Sequence, residues 1–419
     1  MASKSQKHQV SAVKNWRRWY TAMQRLVFLP IKLWFHFSAQ RDSNLEVGKN
    51  PTLVIAPHQN YLDCVFMALA LGIGQPCRFV ATDLLASTKF GMWFLSHTGC
   101  IPITQFSADT SAIKAILKAL KAGDSVAIFP EGERSLSGEH EFTNHTLLRI
   151  IKRAEVDLAA VSLEGSYLIW PRYSRSLFSR GKVVAKTQLL ATKEQLKTMS
   201  EAEILRLLKP IFAQSDYRDQ ERRLEQGEKL WRYNKRQKPD GLEQLLHYCP
   251  KCKQELSLIA KKHSLTCKLC DFSMQTEKSG LLKLNEELIS PRLLHTKQAE
   301  ALSQKYNQGM EFKASCTLYI PGVAEKEEPA SLKIDNQGNI SYVLLKDFSR
   351  SNQSPLTILT ETRSTEYELQ GKTLVYGLGK KPYVQFVATK DKERRRFYLK
   401  SGAEVVMLYD YLRSKQAER

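Results

Sequence analysis

His58 and Asp63 lie five residues apart, just after the apolar run Thr52–Ala56, which reads as a buried strand. Pro57 follows that strand, so His58 sits in a loop at its carboxyl end. Asn60 is a good N-cap for a helix from Tyr61 to Leu71, which makes Asp63 its N3 residue. A carboxylate in the first turn turns back on the imidazole, holds Nδ1 protonated and leaves Nε2 to take a proton from a hydroxyl. That is the base-and-orienter half of a catalytic triad, with the substrate alcohol in place of an enzyme serine. The positive end of the helix also favours a developing oxyanion. Alone, the pair reads equally as an ordinary helix start beside a loop histidine, because geometry and not spacing defines such sites.

A second motif, Phe129, Pro130, Glu131, Gly132, Glu133, Arg134 and Ser135, leaves another apolar run, Ser125–Phe129, at its carboxyl end. Open α/β sheets place their ligands at such ends. Gly132 permits close backbone approach, and Arg134 offers a fork for a phosphate or carboxylate. Glu131 is placed to accept from a polyol hydroxyl or to brace Arg134. The plain alternative is a turn punctuated by Pro130 and Gly132. We take Phe129 to Ser135 as substrate-binding residues.

Cys249, Cys252, Cys267 and Cys270 form two Cys-x-x-Cys pairs separated by 14 residues. This is the spacing of a tetrahedral four-thiolate zinc site, and a site filled by protein ligands is structural. Redox chemistry or two disulfides are the alternatives, and the second equally spaced pair argues against both. Cys64, Cys77, Cys100 and Cys316 lie in apolar context and read as small core residues. A reducing compartment follows.

Residues 51 to about 190 alternate apolar runs with amphipathic stretches, the pattern of an α/β layer. Asp109 to Ala122 puts Ile113, Ile116, Leu117 and Leu120 on one helical face, closed by Gly123. Leu158 to Leu163 is a further strand. Ser200 to Glu203 is a capping box, and Tyr217 to Lys238 reads as a charged, solvated helix. Ser290-Pro291 starts another helix. After Phe312, short runs rich in β-branched and aromatic residues alternate with turns such as Asp335–Gly338 and Gln370-Gly371, and the chain ends in a helix from Ala403 to Arg413. The expected divisions are an N-terminal interface segment (1–45), a catalytic domain (46–215), a charged helical connector (216–245), a zinc ribbon (246–278) and a β-rich domain with a C-terminal helix (279–419), whose order resembles a pleckstrin-homology-like barrel.

The 419 residues carry 63 Lys+Arg against 43 Asp+Glu, a net charge of +20, which attracts either nucleic acid or an anionic lipid surface. Nine Lys/Arg fall in the first 50 residues against Asp42 and Glu46, among Trp16, Trp19, Tyr20 and Trp34. The apolar stretch Leu26–Phe37 is interrupted by Pro30 and Lys32 and is short of the about 20 residues that span a bilayer. It fits a segment lying in the membrane interface, with Arg17, Arg18 and Arg25 near lipid phosphates, and reads equally as a buried helix. No small-residue cleavage site follows it. The rival from another class is a basic zinc-ribbon protein binding nucleic acid, with Lys390–Arg396 as a further cluster. The concentration of charge beside aromatic residues favours lipid.

The stretch from Thr52 to about Val184, about a third of the chain, resembles the glycerolipid acyltransferase family of 1-acylglycerol-3-phosphate type. The family's histidine–four residues–aspartate block is matched by His58 and Asp63. Its glycine-then-isoleucine-proline block is matched by Gly99–Ile103, its Phe-Pro-Glu-Gly block by Phe129–Gly132, and its last block by Val161–Gly165. A subset of bacterial members is similar in leading from a Gly-Leu-Glu stretch, here Gly241–Glu243, into a ribbon. The resemblance implies an α/β domain with a mixed central sheet and flanking helices, and an O-acyltransferase. Its donor would be acyl-CoA or acyl carrier protein, and its acceptor a lysophospholipid at the cytoplasmic face of a membrane bearing anionic lipids. Departures from the family pattern are Gln105 where arginine is common, Glu133 where threonine is usual, Thr143 and Asn144 after Phe142 in place of a basic pair, and Ala160 in place of proline. Three of these make the phosphate pocket less cationic, which predicts an acceptor other than plain lysophosphatidate, such as one with an amine-bearing headgroup.

Overall fold

The computed structural model describes residues 13–47, 50–82, 88–103, 110–139, 145–234, 238–319, 327–335, 339–344, 375–378, 381–387 and 394–417. The chain divides into two compact units: residues 1–172 with 178–235, and residues 173–177 with 236–419.

The first unit is built on a seven-stranded sheet among the described residues. Its strands are β1 (Ser38–Gln40), β2 (Thr52–Ile55), β3 (Cys77–Thr82), β4 (Ile101–Ile103), β5 (Ser125–Ile128), β6 (Asp157–Glu164) and β7 (Val184–Ala191), in the spatial order β1-β7-β6-β2-β5-β3-β4. Every pairing is parallel except β6 with β7. The sheet is thus mixed, as the resemblance implied. Every residue of β2 and of β5 is buried, as in strands covered on both faces.

One face is closed by the helices Thr110–Lys121, His145–Ala154, Lys193–Thr198 and Glu201–Phe212. Their apolar stripes, including Ile116, Leu120, Leu147, Ile151, Ile204 and Leu208, join Leu53, Ile55, Val126 and Leu158 in one core. Ile113 and Leu117 pack at its edge, so the expected stripe of this helix forms. The expected capping box at Ser200 and Glu203 is present. On the other face lies the helix Asp63–Leu71, whose residues from Val65 to Leu71 are all buried, as its all-round apolar sequence requires. The N-terminal helix covers it. This helix runs from Trp16 to Trp34, with a widened π turn at Gln24–Phe28. Gln24 Nε2 donates to Ala68 O at 3.0 Å and Gly72 O at 2.9 Å, and Phe35 and Phe37 both pack on Phe66.

Two expectations need correcting. The helix after His58 begins at Asp63 and not Tyr61: residues 61–62 form a turn, in which Asn60 Oδ1 accepts from Leu62 N–H at 2.6 Å. The segment from Tyr217 is not a solvated connector. Asp216, Tyr217, Gln220 and Tyr233 are buried within the first unit, and the charges of the helix Asp216–Glu225 hide that inner face in the sequence.

The second unit holds two antiparallel sheets among the described residues. The first has β8 (Leu258–Lys261), β9 (Ser264–Cys267), β10 (Ser273–Thr276), β11 (Leu282–Leu284) and β12 (Glu287–Ile289), neighbours in chain order. The second has β13 (Phe312–Tyr319), β14 (Glu328–Ile334), β15 (Ile340–Leu344), β16 (Val375–Gly377), β17 (Tyr383–Val387) and β18 (Arg394–Tyr398), ordered β15-β14-β13-β18-β17-β16. Between the sheets in sequence runs the helix Pro291–Asn307, whose start is capped as expected by Ser290 Oγ accepting from Leu293 N–H at 3.2 Å. The C-terminal helix spans Gly402–Ala417, longer than expected. Within this unit Asp410 accepts from His295 Nε2 at 3.0 Å and ties the two helices together. The turns expected at Asp335–Gly338 and Gln370-Gly371, and part of the Lys390–Arg396 cluster, lie outside the described residues.

Candidate active site

Three neighbouring parallel strands, β6, β2 and β5, end at one edge of the sheet. Each strand leads into a motif: β6 into Gly165-Ser166, β2 into His58, and β5 into Phe129–Ser135. The topology therefore assembles in space what the sequence spreads over about a hundred residues.

Asp63 is fully buried, and its carboxylate is surrounded by donors. His58 Nδ1 lies 2.9 Å from Asp63 Oδ2, which also accepts from Gln59 N–H at 2.6 Å and Asn60 N–H at 2.8 Å. A carboxylate only accepts, so the imidazole proton sits on Nδ1 and Nε2 is the ring nitrogen that can address a substrate. The side chain of His58 is 25% exposed, whereas that of Asp63 is wholly buried. The carboxylate turns back on the imidazole even though the helix starts later than expected.

The second motif grips the first. Glu131 Oε2 accepts from the His58 backbone N–H at 2.6 Å, and Ser135 N–H donates to His58 O at 2.8 Å. The Phe129 ring stacks on the imidazole with centroids 4.4 Å apart and planes at 21°. Phe129, Glu131 and Ser135 thus fix the position and tilt of His58. Ser135 Oγ is engaged within its own loop, donating to Glu139 O at 2.6 Å and accepting from Gly138 N–H at 2.9 Å. Pro130 is buried and Gly132 takes φ +73° in an exposed turn. Glu133 pairs with Arg172, whose side chain is 5% exposed. Its negative charge is therefore neutralised beside the site and does not make the surroundings anionic. Arg172 also donates to Arg134 O at 3.0 Å. The Arg134 guanidinium lies 3.4 Å from the centroid of Tyr61, whose ring in turn meets Trp170 at 4.9 Å. Gln105, Phe142, Thr143 and Asn144 lie outside the described residues.

The turn after β6 begins at Gly165, the end of the last family block, and holds the residue that sequence reasoning missed, Ser166. Gly165 has φ +88°, and a Cβ there would lie 2.3 Å from Lys182 O, so only glycine fits. Ser166, fully buried, comes next and donates through Oγ to Asp63 Oδ1 at 2.5 Å. Asp216 accepts from Gly165 N–H at 2.7 Å and Leu168 N–H at 3.1 Å. Burial pushes the Asp216 carboxyl up to about 7, and burial likewise raises nearby Asp219 to about 6. Gly99 of the glycine-isoleucine-proline block is a helix C-cap with φ +71°, held against Trp16 of the N-terminal helix. It serves packing at the edge of the sheet.

In the second unit the four cysteines come together. The sulfurs of Cys249 and Cys270, and those of Cys252 and Cys267, are each 3.7 Å apart, and all four lie within 4.8 Å of one another. These are not disulfide distances. Zn–S bonds of about 2.3 Å put tetrahedral sulfurs about 3.8 Å apart, so the cluster fits that ion.

Residues 36–164 match the family model described as Acyltransferase. This chain carries an acyltransferase-family domain. The domain is 25% identical over 142 residues to a chloroplastic 1-acyl-sn-glycerol-3-phosphate acyltransferase of Arabidopsis thaliana, covering 33% of this chain and 39% of that protein. A 1-acyl-sn-glycerol-3-phosphate acyltransferase of Streptococcus pneumoniae is 29% identical over 171 residues, covering 40% and 60% respectively. The chain thus spans between two fifths and three fifths of these two relatives. Among solved structures, the 1-acyl-sn-glycerophosphate acyltransferase from Thermotoga maritima aligns over 47% of this chain and 78% of its own, at 22% identity and a TM-score of 0.39.

Proposed function

We propose that this protein is an O-acyltransferase that moves a fatty acyl group from an acyl thioester, acyl-CoA or acyl carrier protein, to the hydroxyl of a lysophospholipid. The observation that carries the reading is the buried Asp63 carboxylate holding a partly exposed His58 at the strand edge of an acyltransferase-family domain. His58 Nε2 removes the acceptor hydroxyl proton while Asp63 stabilises the imidazolium. The oxygen attacks the thioester carbonyl directly. On collapse the C–O bond stays, the C–S bond breaks, and the leaving thiolate takes the proton back from His58. No enzyme nucleophile takes part, and trapping an acyl-enzyme from donor alone would count against this sequence of steps. Arg134, steadied on Tyr61, is the cation for the acceptor phosphate. The relatives act, by name, on 1-acyl-sn-glycerol 3-phosphate. The idea of an amine-bearing headgroup loses Glu133 as support, since Arg172 neutralises it.

The work takes place at a membrane surface in this reading. Trp19, Leu26, Val27, Leu33 and Trp34 project from the outer side of the N-terminal helix, and Phe90 and Trp93 of the helix Lys89–Thr98 join Trp19. Exposed Arg17, Arg18 and Arg25 flank them. Such a face inserts into one leaflet with its cations at the phosphates. Among the described residues no helix is long and apolar enough to cross a membrane. In the second unit, Cys249, Cys252, Cys267 and Cys270 would hold a structural zinc ion that fixes the start of the ribbon.

The deciding experiment assays the full chain against a panel of lysolipids with acyl-CoA and acyl carrier protein donors, with His58→Ala as control. The expected outcome is transfer to at least one lysophospholipid, reduced at least about 100-fold in the variant. Wild-type turnover by His58→Ala, or no transfer from any pair, would overturn the reading.

A further inference from the structure

We infer that Ser166 is a positioning residue of the active site, the group that fixes the Asp63 carboxylate from the side away from His58. The inference rests on the reading of His58 as the base. Its hydrogen-bond directions come from elementary donor and acceptor rules. Leu62 N–H donates to Asn60 Oδ1 at 2.6 Å, which settles how the Asn60 amide is turned. Asn60 Nδ2 must then donate to its own neighbours, Ser166 O and, at 2.7 Å, Ser166 Oγ. With that donor arriving at Ser166 Oγ, the serine's own hydrogen is left to point at Asp63 Oδ1, 2.5 Å away. Serine, asparagine and aspartate are all fully buried, so water does not replace any of these bonds.

The serine is itself held from several directions. Gly165 and Leu168 donate their backbone N–H groups to Asp216, and Tyr167 N–H donates to Gln59 Oε1 at 3.0 Å. Tyr167 Oη reaches across to Leu136 O at 2.7 Å in the loop after Ser135. The turn after β6 is thus bonded to both the other loops, and Ser166 is the residue by which it acts on the dyad.

The chemical role emerges from counting bonds. With Ser166 in place, Asp63 Oδ2 serves His58 and two backbone amides, while Oδ1 is satisfied by the hydroxyl. Without the hydroxyl, Oδ1 becomes an orphaned acceptor in a dry site. The carboxylate is then a stronger acceptor toward the imidazole and holds the imidazolium more tightly. His58 must be neutral to act as a base, so the acid limb of the kcat profile moves to higher pH and kcat falls. Ser166 is fully buried, out of reach of a bound substrate, so KM should stay.

The test is Ser166→Ala and Ser166→Thr in the full chain, with folding followed by circular dichroism. Ser166→Ala should lower kcat about tenfold or more, leave both KM values within about twofold, and shift the acid limb upward; Ser166→Thr, which keeps a hydroxyl, should recover most of both. Nitrogen-15 spectra of labelled histidine give a second readout independent of turnover. The hydrogen bond between His58 Nδ1 and Asp63 sets the Nδ1 signal, and Ser166→Ala should alter it. An unchanged pH profile and an unchanged His58 spectrum in Ser166→Ala would overturn the inference, as would a Thr variant as impaired as the Ala. His58→Ala is run beside them. If it is active, the reading of the base fails; if it is dead and Ser166→Ala behaves as wild type, only the role of Ser166 fails.

Discussion

His58 is held at four points: its ring nitrogen by Asp63, its ring face by Phe129, its backbone N–H by Glu131 and its backbone carbonyl by Ser135. Asp63→Asn offers an amide where a carboxylate stood, and the Gln59 and Asn60 amides already occupy one side of it. We expect the imidazole to lose its tautomer and turnover to fall by about 100-fold or more, read as kcat at saturating substrates. Glu131 allows a sharper distinction. As a grip on His58, Glu131→Ala should lower kcat with little change in acceptor KM; a rise in KM with kcat intact would show that it binds the acceptor hydroxyls instead. Much at this level was legible beforehand. The dyad, the metal-type cysteine spacing and the Phe-Pro-Glu-Gly block are local patterns, and each residue type constrains its own chemistry. The partners of Glu131, Glu133 and Ser166 were not legible, because Glu131 meets a residue 73 positions away and Ser166 one 103 positions away. No short-range rule reports such pairings.

The N-terminal helix has two unlike sides. Tyr20, Gln24 and Phe28 are buried against the helix Asp63–Leu71, while Leu26, Leu33 and Trp34 are 77%, 71% and 54% exposed. Sequence patterning left two alternatives, a buried helix or an interfacial one; one side is buried in the protein and the other is exposed. Leu33→Glu and Trp34→Glu should leave folding intact and weaken co-sedimentation with anionic vesicles severalfold, since both side chains are mostly exposed. Retained vesicle binding would place the membrane contact elsewhere. The helix Asp216–Glu225 was misread for a related reason: its charges dominate the composition, yet Asp216, Tyr217 and Gln220 face inward. Asp216 makes a measurable demand. Its carboxyl is raised by burial from 3.8 to about 7, so the folded state binds its proton more tightly than the unfolded chain. The corresponding stability is present below the unfolded value and is lost as pH rises through about 7. Unfolding free energy should therefore fall as pH rises from about 4 to about 7, by up to about 1.4 kcal/mol per pH unit from this group, and level off above that. Asp216→Asn should flatten that slope in denaturant titrations at several pH values. An equal slope in the variant would mean that other groups carry it.

Across the whole chain, the mixed sheet of the first unit gives way to antiparallel sheets in the second, and the first of these runs from β8 to β12 across the boundary expected at 278/279. What composition did not show is where the units divide, because the first continues to residue 235 through a segment that looks like a linker. Cys249 and Cys252 precede β8, Cys267 ends β9 and Cys270 precedes β10, so metal binding and folding of that sheet should be one event. Purified protein should carry one zinc per chain. Cys249→Ser with Cys252→Ser should lower soluble yield and the temperature of unfolding. A double variant with normal yield and no zinc would reduce the cluster to an accessory.

Residues 173–177 belong to the second unit although the chain on either side of them belongs to the first. Ser174 Oγ donates to Asp240 at 3.0 Å, Ser176 N–H donates to Asp240 at 2.6 Å, and Arg175 pairs with Glu243 at 2.5 Å. A ribosome releases this pentapeptide some sixty residues before its partners exist. The second unit is therefore no detachable tail. Any version of the protein that stops at residue 235 carries a loop with its hydrogen bonds cut, beginning four residues after the turn that holds Ser166. Shortening the gene there thus alters a loop that follows Ile169 by only a few residues of chain.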